Sequence, residues 1–211
     1  MKMKIIYLTM VLYLLVGKVM ANDRIEQWEI FELPLHLNVM GNPFDDVTVK
    51  ATFINGVDTV KVKGFYDGDD VYRVRFMPHK TGLWKYRITF DGINRKEKKG
   101  SFECVTANAD NHGPVRVDST DFVYADGSRY IPVGTTCYAW VHQPSELRRL
   151  TLETLGKSCF NKLRMCVFPK SYNWNRNEPE IYPFKGFAGQ WDFSQLNPEY
   201  FRNIEQCISS L

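Results

Sequence analysis

The sequence is poor in the residues that build metal centres and disulfide frameworks. Its 211 residues include 5 cysteines and 4 histidines. The cysteines are odd in number and form no Cys-x-x-Cys pair, and the histidines lie far apart. This spacing predicts no zinc site, no disulfide framework and no cofactor. Because each cysteine lies in an apolar stretch, we expect buried free thiols at Cys104, Cys137, Cys159, Cys166 and Cys207.

An excess of charge of one sign is also lacking. The chain has 27 Lys and Arg against 24 Asp and Glu, a net charge of +3. Lys2, Lys4 and Lys18 lie within the first 21 residues, which contain no acidic residue, so the remainder is neutral. Without a stripe of Lys and Arg, nothing favours nucleic acid or an anionic membrane surface as a partner.

The first 21 residues have the pattern of a secretory signal peptide. A basic start is followed by an apolar run from Ile5 to Val16 and by small residues before a cut after Ala21. This pattern predicts a secreted or periplasmic protein with no membrane contact after cleavage. The apolar run is shorter than the roughly 20 residues of a membrane span, and an uncleaved anchor is the alternative.

Residues 22–107 are predicted to form an immunoglobulin-like β-sandwich of about seven short strands. Three stretches, beginning at Val47, Tyr72 and Trp84, alternate polar and apolar residues, which is typical of half-buried antiparallel strands. We expect the row that starts at Trp84 to be core rather than a sugar-stacking platform. The acidic stretch Asp67–Asp70 lacks the other ligands of a calcium loop and is predicted to be a turn.

Residues 108–211 change to a strand and helix order. The predicted elements are a strand within 130–138, a helix opened by Pro144, a strand within 159–168, a loop over 170–193 and a helix opened by Asn197-Pro198-Glu199. Crossovers of this length are typical of parallel α/β structure.

Two strands cannot bury both faces of a parallel sheet, and a complete eight-stranded barrel takes roughly 250 residues. We therefore predict a multi-domain chain, in which residues 108–211 form the first β/α units of a truncated (β/α)8 TIM barrel. A complete small domain built from the same elements is the alternative.

Two segments resemble known families. Arg75-Phe76-Met77-Pro78 and Gly82-Leu83-Trp84-Lys85-Tyr86 resemble the immunoglobulin-like module of unknown function that precedes barrel enzymes in secreted bacterial glycan-degrading proteins. Val133-Gly134-Thr135-Thr136-Cys137-Tyr138-Ala139-Trp140 and Phe160-Asn161-Lys162-Leu163-Arg164 resemble the start of apiosidase-like glycoside hydrolase barrels. That family commonly has an Asp near Thr136, so this chain departs from the pattern there.

The resemblance implies an N-terminal part of a secreted glycoside hydrolase that acts on side chains of plant or complex polysaccharides. Glycoside hydrolysis normally uses two carboxylates, which in related barrels follow later strands. We therefore expect no catalytic residue in this chain and no turnover by it alone. Its own carboxylates in the long loop are Glu178 and Glu180.

What the chain is expected to supply is a substrate-binding face for an oligosaccharide or polysaccharide. Barrel sites lie where strands end, and aromatic rings stack on sugars while polar groups bind hydroxyls. The predicted contacts are Tyr138, Trp140, His142, Arg164, Lys170, Tyr172, Trp174 and Asn175. Phe168, near the end of the second predicted strand, is a further candidate. Internal packing is the alternative for Tyr138 and Phe168, and an ordinary loop is the alternative for Trp174 and Asn175. The resemblance also implies that Arg164 holds a nucleophilic carboxylate.

Two other functions compete with this one. The first is a non-catalytic glycan-binding or adhesin-like surface protein that uses the sandwich for recognition. The second is a thiol hydrolase with Cys137 as nucleophile and His142 as base, which requires the two side chains to lie within hydrogen-bond distance.

Overall fold

Two β-sheets account for the first half of the chain in the computed structural model, which describes residues 24–211. The predicted signal peptide lies outside the described residues. The larger sheet has the order β1-β8-β7-β3-β4, and the smaller one has the order β2-β6-β5. The strands are β1 Arg24–Glu26, β2 Phe31–His36, β3 Thr48–Asn55, β4 Asp58–Lys63, β5 Phe65–Tyr66, β6 Val71–Phe76, β7 Gly82–Asp91 and β8 Lys98–Val105.

The two sheets share one apolar core because their strands alternate inward and outward side chains. In β3 the buried positions are Val49, Ala51 and Phe53, and in β6 every second residue is buried. Trp84 is fully buried, with its Nε1 donating to the carbonyl of Lys80 at 2.8 Å. The aromatic row of β7 therefore belongs to the core. We call residues 24–105 the two-sheet unit.

The acidic stretch before β6 is a turn fixed by ion pairs within the two-sheet unit. Asp67 is buried and accepts a hydrogen bond from Arg73 Nε at 2.5 Å. Arg73 also pairs with Glu32 on the neighbouring strand β2. Asp69 and Asp70 both have positive φ, which a short polar side chain tolerates in a tight turn.

The second half of the described chain contains small sheets and two helices. Strands β9 and β10 form an antiparallel hairpin, β11 and β12 form a parallel pair, and β13 and β14 form a second hairpin. A single 3-10 turn, Trp140–His142, follows β11. The elements are β9 Val115–Asp118, β10 Asp121–Tyr124, β11 Gly134–Thr136, α1 Ser145–Leu155, β12 Lys162–Arg164, β13 Phe184–Phe187, β14 Gln190–Leu196 and α2 Pro198–Ser209.

The predicted fold class, a sandwich followed by the start of a (β/α)8 barrel, is wrong for the described residues. They are mostly β-sheet, they contain two helices, and no closed barrel forms. The parallel pair is three residues per strand, and the segment predicted as a loop over 170–193 contains the hairpin β13–β14. Closure depends on pairings between distant segments, which a local strand and helix order does not specify. The division at residue 107 stays a prediction.

The helices differ in how much they bury. In α2, Tyr200, Ile204 and Cys207 are buried against the 3-10 turn. No residue of α1 is fully buried, and Leu147 and Leu150 are each 44% exposed. Neither helix has the length and apolar composition that crossing a bilayer requires, a statement that covers residues 24–211 only.

The cysteines are free thiols, as predicted, but not all of them are buried. Cys104 and Cys207 are buried, Cys137 and Cys166 are half-buried, and Cys159 is exposed. Cys159 lies just after α1, in the stretch 156–162, in which every residue is exposed.

Candidate functional site

The carboxyl ends of β11 and β12 lie side by side because the two strands are parallel and in register. Thr136 pairs with Arg164, and the hydrogen bonding continues beyond the strands. The Cys137 amide donates to the Arg164 carbonyl, and the Cys166 amide donates to the Tyr138 carbonyl, each at 2.9 Å. The chain segments that leave both strands are therefore held together, which places their side chains on one surface.

Three aromatic rings stack on this surface. The centroids of Tyr138 and Tyr172 are 6.2 Å apart, with an interplanar angle of 14°. Those of Tyr172 and Trp174 are 4.7 Å apart, at 20°. Trp174 is 68% exposed. We call these three residues, with Arg164, Lys170 and Asn175, the aromatic face.

Two cations flank the rings. The Arg164 guanidinium lies 5.2 Å from the centroid of Tyr138, and the Lys170 ammonium lies 5.3 Å from that of Tyr172. Both contacts are of cation–π type, which positions a charged group while leaving its hydrogen-bond donors free to bind other groups. Arg164 is exposed, so its charge has little desolvation cost and does not by itself require a carboxylate partner. Its role as holder of a nucleophile stays a prediction.

The loop that carries Tyr172 and Trp174 is held by a tight turn. The backbone of Tyr172 and that of Asn175 exchange hydrogen bonds of 3.3 and 3.2 Å. The Tyr172 hydroxyl lies 3.5 Å from Cys166 Sγ, and this contact raises the pKa of Tyr172. The hydroxyl therefore stays protonated near neutral pH and can exchange hydrogen bonds with a ligand.

Trp140 and His142 are buried, at 3% and 7% exposure, although Trp140 lines the larger and His142 the smaller of two cavities beside the aromatic face. Trp140 Nε1 donates to the carbonyl of Arg148 at 3.2 Å. His142 Nε2 lies 3.2 Å from the Cys166 carbonyl, and its ring stacks on Tyr200 at 6.0 Å. Burial lowers the pKa of His142, which favours the neutral imidazole. The 3-10 turn directs both side chains inward.

The two groups of the proposed thiol hydrolase do not have the properties that it requires. Burial raises the pKa of Cys137, so the thiol stays protonated, whereas catalysis requires a thiolate. The Nε2 of His142 faces a backbone carbonyl. In the part of the chain that the structure describes, no group of three or more His, Cys, Asp or Glu side chains is placed to bind a metal.

Two cavities adjoin the aromatic face. An open groove of about 760 Å³ is lined by Tyr138 and Trp174, together with Gln143 and Asn177, whose side chains share a 2.8 Å hydrogen bond. A smaller cavity of about 140 Å³ is lined by Lys170, His142 and Glu178. Sequence reasoning missed Gln143 and Asn177, because single amides in polar segments carry no pattern.

Glu178 is the carboxylate that lines the smaller cavity. It accepts a hydrogen bond from the Tyr182 hydroxyl at 2.5 Å, which raises the pKa of Tyr182. Among the residues that line this cavity there is no second Asp or Glu.

Comparison with known proteins gives two similarities. Residues 24–91 match the family model described as Domain of unknown function (DUF5060). A crystal structure of a proposed glycoside hydrolase from Bacteroides vulgatus ATCC 8482 is 42% identical in sequence and superposes with a TM-score of 0.84. The match covers 89% of this chain and 39% of that protein, so this chain spans well under half of its length. No protein in the curated set matches.

Proposed function

We propose that the aromatic face binds an oligosaccharide or polysaccharide chain, as part of an exported protein with a glycoside hydrolase-like role. The observation that carries this proposal is the stacking of Tyr138, Tyr172 and Trp174 beside an open groove of about 760 Å³. The likeness to a proposed glycoside hydrolase supports the same substrate class.

The groups at the face suit the chemistry of sugars. A sugar ring has an apolar face of C–H groups, which packs on an aromatic ring, and a rim of hydroxyls, which need hydrogen-bond partners. Trp174 offers the exposed ring, while Asn175 and Gln143 line the same groove with amides. Arg164 and Lys170 add donors for hydroxyl or carboxylate oxygens.

Binding is proposed rather than turnover by these residues. Bond cleavage in most glycoside hydrolases uses a pair of carboxylates facing each other across the glycosidic bond. The smaller cavity beside the aromatic face is lined by one carboxylate, that of Glu178, which already accepts a hydrogen bond from the Tyr182 hydroxyl. The proposal therefore assigns recognition to this chain. Trp84, the largest ring of β7, is fully buried and is not available for stacking, which disfavours recognition by that row.

The test is an isothermal titration calorimetry experiment, in which the full chain is titrated with soluble oligosaccharides of xylan, β-glucan and arabinogalactan type. Replacing the exposed ring, Trp174→Ala, is expected to weaken binding by about 5- to 30-fold, roughly 1–2 kcal/mol. Phe187→Ala is the matched control, since that ring is 63% exposed but lies at the tip of the β13–β14 hairpin. Absence of binding to the whole panel, or equal binding by Trp174→Ala and the wild type, would contradict the proposal.

A further inference from the structure

The two-sheet unit is joined to α2 by a two-pronged ion pair. Arg75 lies on β6, and its Nη1 and Nη2 donate to the two carboxylate oxygens of Glu205 at 2.5 and 2.9 Å. The Nε of Arg75 donates to Glu32 at 2.5 Å, which fixes the guanidinium from the other side. A bidentate pair of this kind restricts orientation as well as distance.

A second contact lies one turn earlier on α2. Arg202 donates to the backbone carbonyl of Asp67 and approaches the Asp67 carboxylate at 3.5 Å. Arg73 holds the same carboxylate from within the two-sheet unit. Two points of attachment along one helix face oppose both rotation and sliding of α2.

The same helix supports the segment that carries the aromatic face. The Tyr200 hydroxyl donates to the carbonyl of Val167, just beyond β12, and the Tyr200 ring stacks on His142. His142 lies against the carbonyl of Cys166, whose sulfur lies 3.5 Å from the Tyr172 hydroxyl. An unbroken series of contacts therefore runs from α2 to the stacked rings.

We propose that Arg75 and Glu205 are positioning residues, through which the two-sheet unit sets the placement of α2 and hence of the aromatic face. This rests on the proposed function only for the last step, from ring placement to sugar binding. It gives the unit that contains the DUF5060 match a role in shaping a site that lies outside it. The two side chains are 33% and 46% exposed, so we expect the pair to contribute little to overall stability.

The first test is amide hydrogen exchange of the full chain, which needs no ligand. Glu205→Gln keeps the size of the side chain and removes the charge that Arg75 binds. We expect exchange at the Cys166 and Tyr172 amides, both hydrogen-bonded in the structure, to rise about three- to fivefold. Exchange in β3 and β7 should not change. Arg87→Gln is the matched control, since Arg87 pairs with Glu97 inside the two-sheet unit.

A double-mutant cycle separates a direct effect from general destabilisation. If the pair acts as one link, Arg75→Gln combined with Glu205→Gln should raise exchange at these amides no more than the larger single change does. Unchanged exchange in Glu205→Gln, equal increases in β3 and β7, or additive effects in the double variant would each overturn the proposal.

The second test measures the dissociation constant for the best oligosaccharide of the same panel. Glu205→Gln should weaken binding about threefold, with the Tm within about 2 °C of the wild type. An unchanged dissociation constant, beside faster exchange, would overturn the link from α2 to the face. If the wild type binds no sugar, the proposed function fails, and the exchange data still decide whether Arg75 and Glu205 position this segment.

Discussion

Asp126 is the exposed carboxylate whose pKa is most clearly displaced by local hydrogen bonds. The Ser128 hydroxyl and the Ser128 amide both donate to Oδ1, and His112 lies 2.7 Å from Oδ2. These contacts lower the pKa of Asp126 to about 2, and the hydrogen bond from the Ser128 hydroxyl has the largest effect. The ionised carboxylate is thus bound more strongly in the folded turn than in the unfolded chain.

The direction of this pKa shift determines how the stability of the fold depends on pH. A group with a depressed folded pKa stabilises the fold above its unfolded value of 3.8 and loses that contribution as the pH falls toward 2. We expect Asp126→Asn to lower the Tm at pH 6 and to differ from the wild type much less at pH 2, where about half of the folded molecules have already lost the charge. Asp121→Asn, on strand β10 of the same hairpin, is the control. A Tm difference that is the same at both pH values would contradict the assignment.

At the scale of the element, the turn after β7 depends on a glycine. Gly92 has a φ of 82°, and a β-carbon there would lie 1.9 Å from the carbonyl oxygen of Asp46. Gly127, in the turn after β10, has a φ of 91° but has no atom within 4 Å of such a carbon. A side chain at position 92 would therefore meet both an unfavourable positive φ and a backbone clash. A side chain at position 127 would meet the unfavourable φ alone.

This difference predicts unequal costs for the same substitution. Gly92→Ala is expected to reduce the free energy of unfolding by about 2–4 kcal/mol, because the Asp46 backbone has to move. Gly127→Ala should cost about 1 kcal/mol from the positive φ alone. Denaturant unfolding of both variants measures the two values. Equal costs would show that the close approach to Asp46 does not limit the turn.

The sequence predicts elements well where their signal is local. The period-two rows of β3, β6 and β7 appear as strands with the expected inward residues, because alternation reports which side faces a core. The hairpin β13–β14 was missed, since its residues lie in a stretch that reads as an aromatic and polar loop. Gly186 within β13 and Gly189 in the turn both have positive φ, and those glycines were the available signal.

The candidate site likewise combines features that a local sequence pattern predicts with features that it does not. Tyr138, Tyr172 and Trp174 meet because two parallel strands end together, which a strand prediction implies. Trp140 and His142 turn inward because a single 3-10 turn follows β11, and no sequence pattern separates that turn from a continuing strand. The Arg75–Glu205 pair joins residues 130 positions apart, so it was beyond any local pattern.

At the scale of the whole molecule, the two halves differ in how they are stabilised. The larger core is built from residues between Phe31 and Cys104, all inside the two-sheet unit. The smaller core gathers around Trp140 and α2, and α1 contributes the half-buried Leu152 but no fully buried residue. We therefore expect the first half to fold independently, whereas the second half, with its small core, is expected not to form a stable unit alone.

Separate expression of the halves tests this expectation. Residues 22–107 should show a cooperative thermal transition by circular dichroism, because their core is complete within the segment. Residues 108–211 should melt gradually, without a sharp midpoint. A cooperative transition from the second piece, or its absence from the first, would contradict the predicted division.

Docking of α2 on the two-sheet unit also has a consequence for the order in which the chain folds. The contact between Arg75 and Glu205 joins residues 130 positions apart, whereas the pairings within the sheets span from 3 positions, between Asn55 and Asp58, to 79 positions, between Arg24 and Glu103. Bringing distant segments together has a larger entropic cost, so contacts of long sequence separation form slowly. The sheets are expected to assemble in the early milliseconds of refolding, and the segment that carries the stacked rings to acquire its final geometry last.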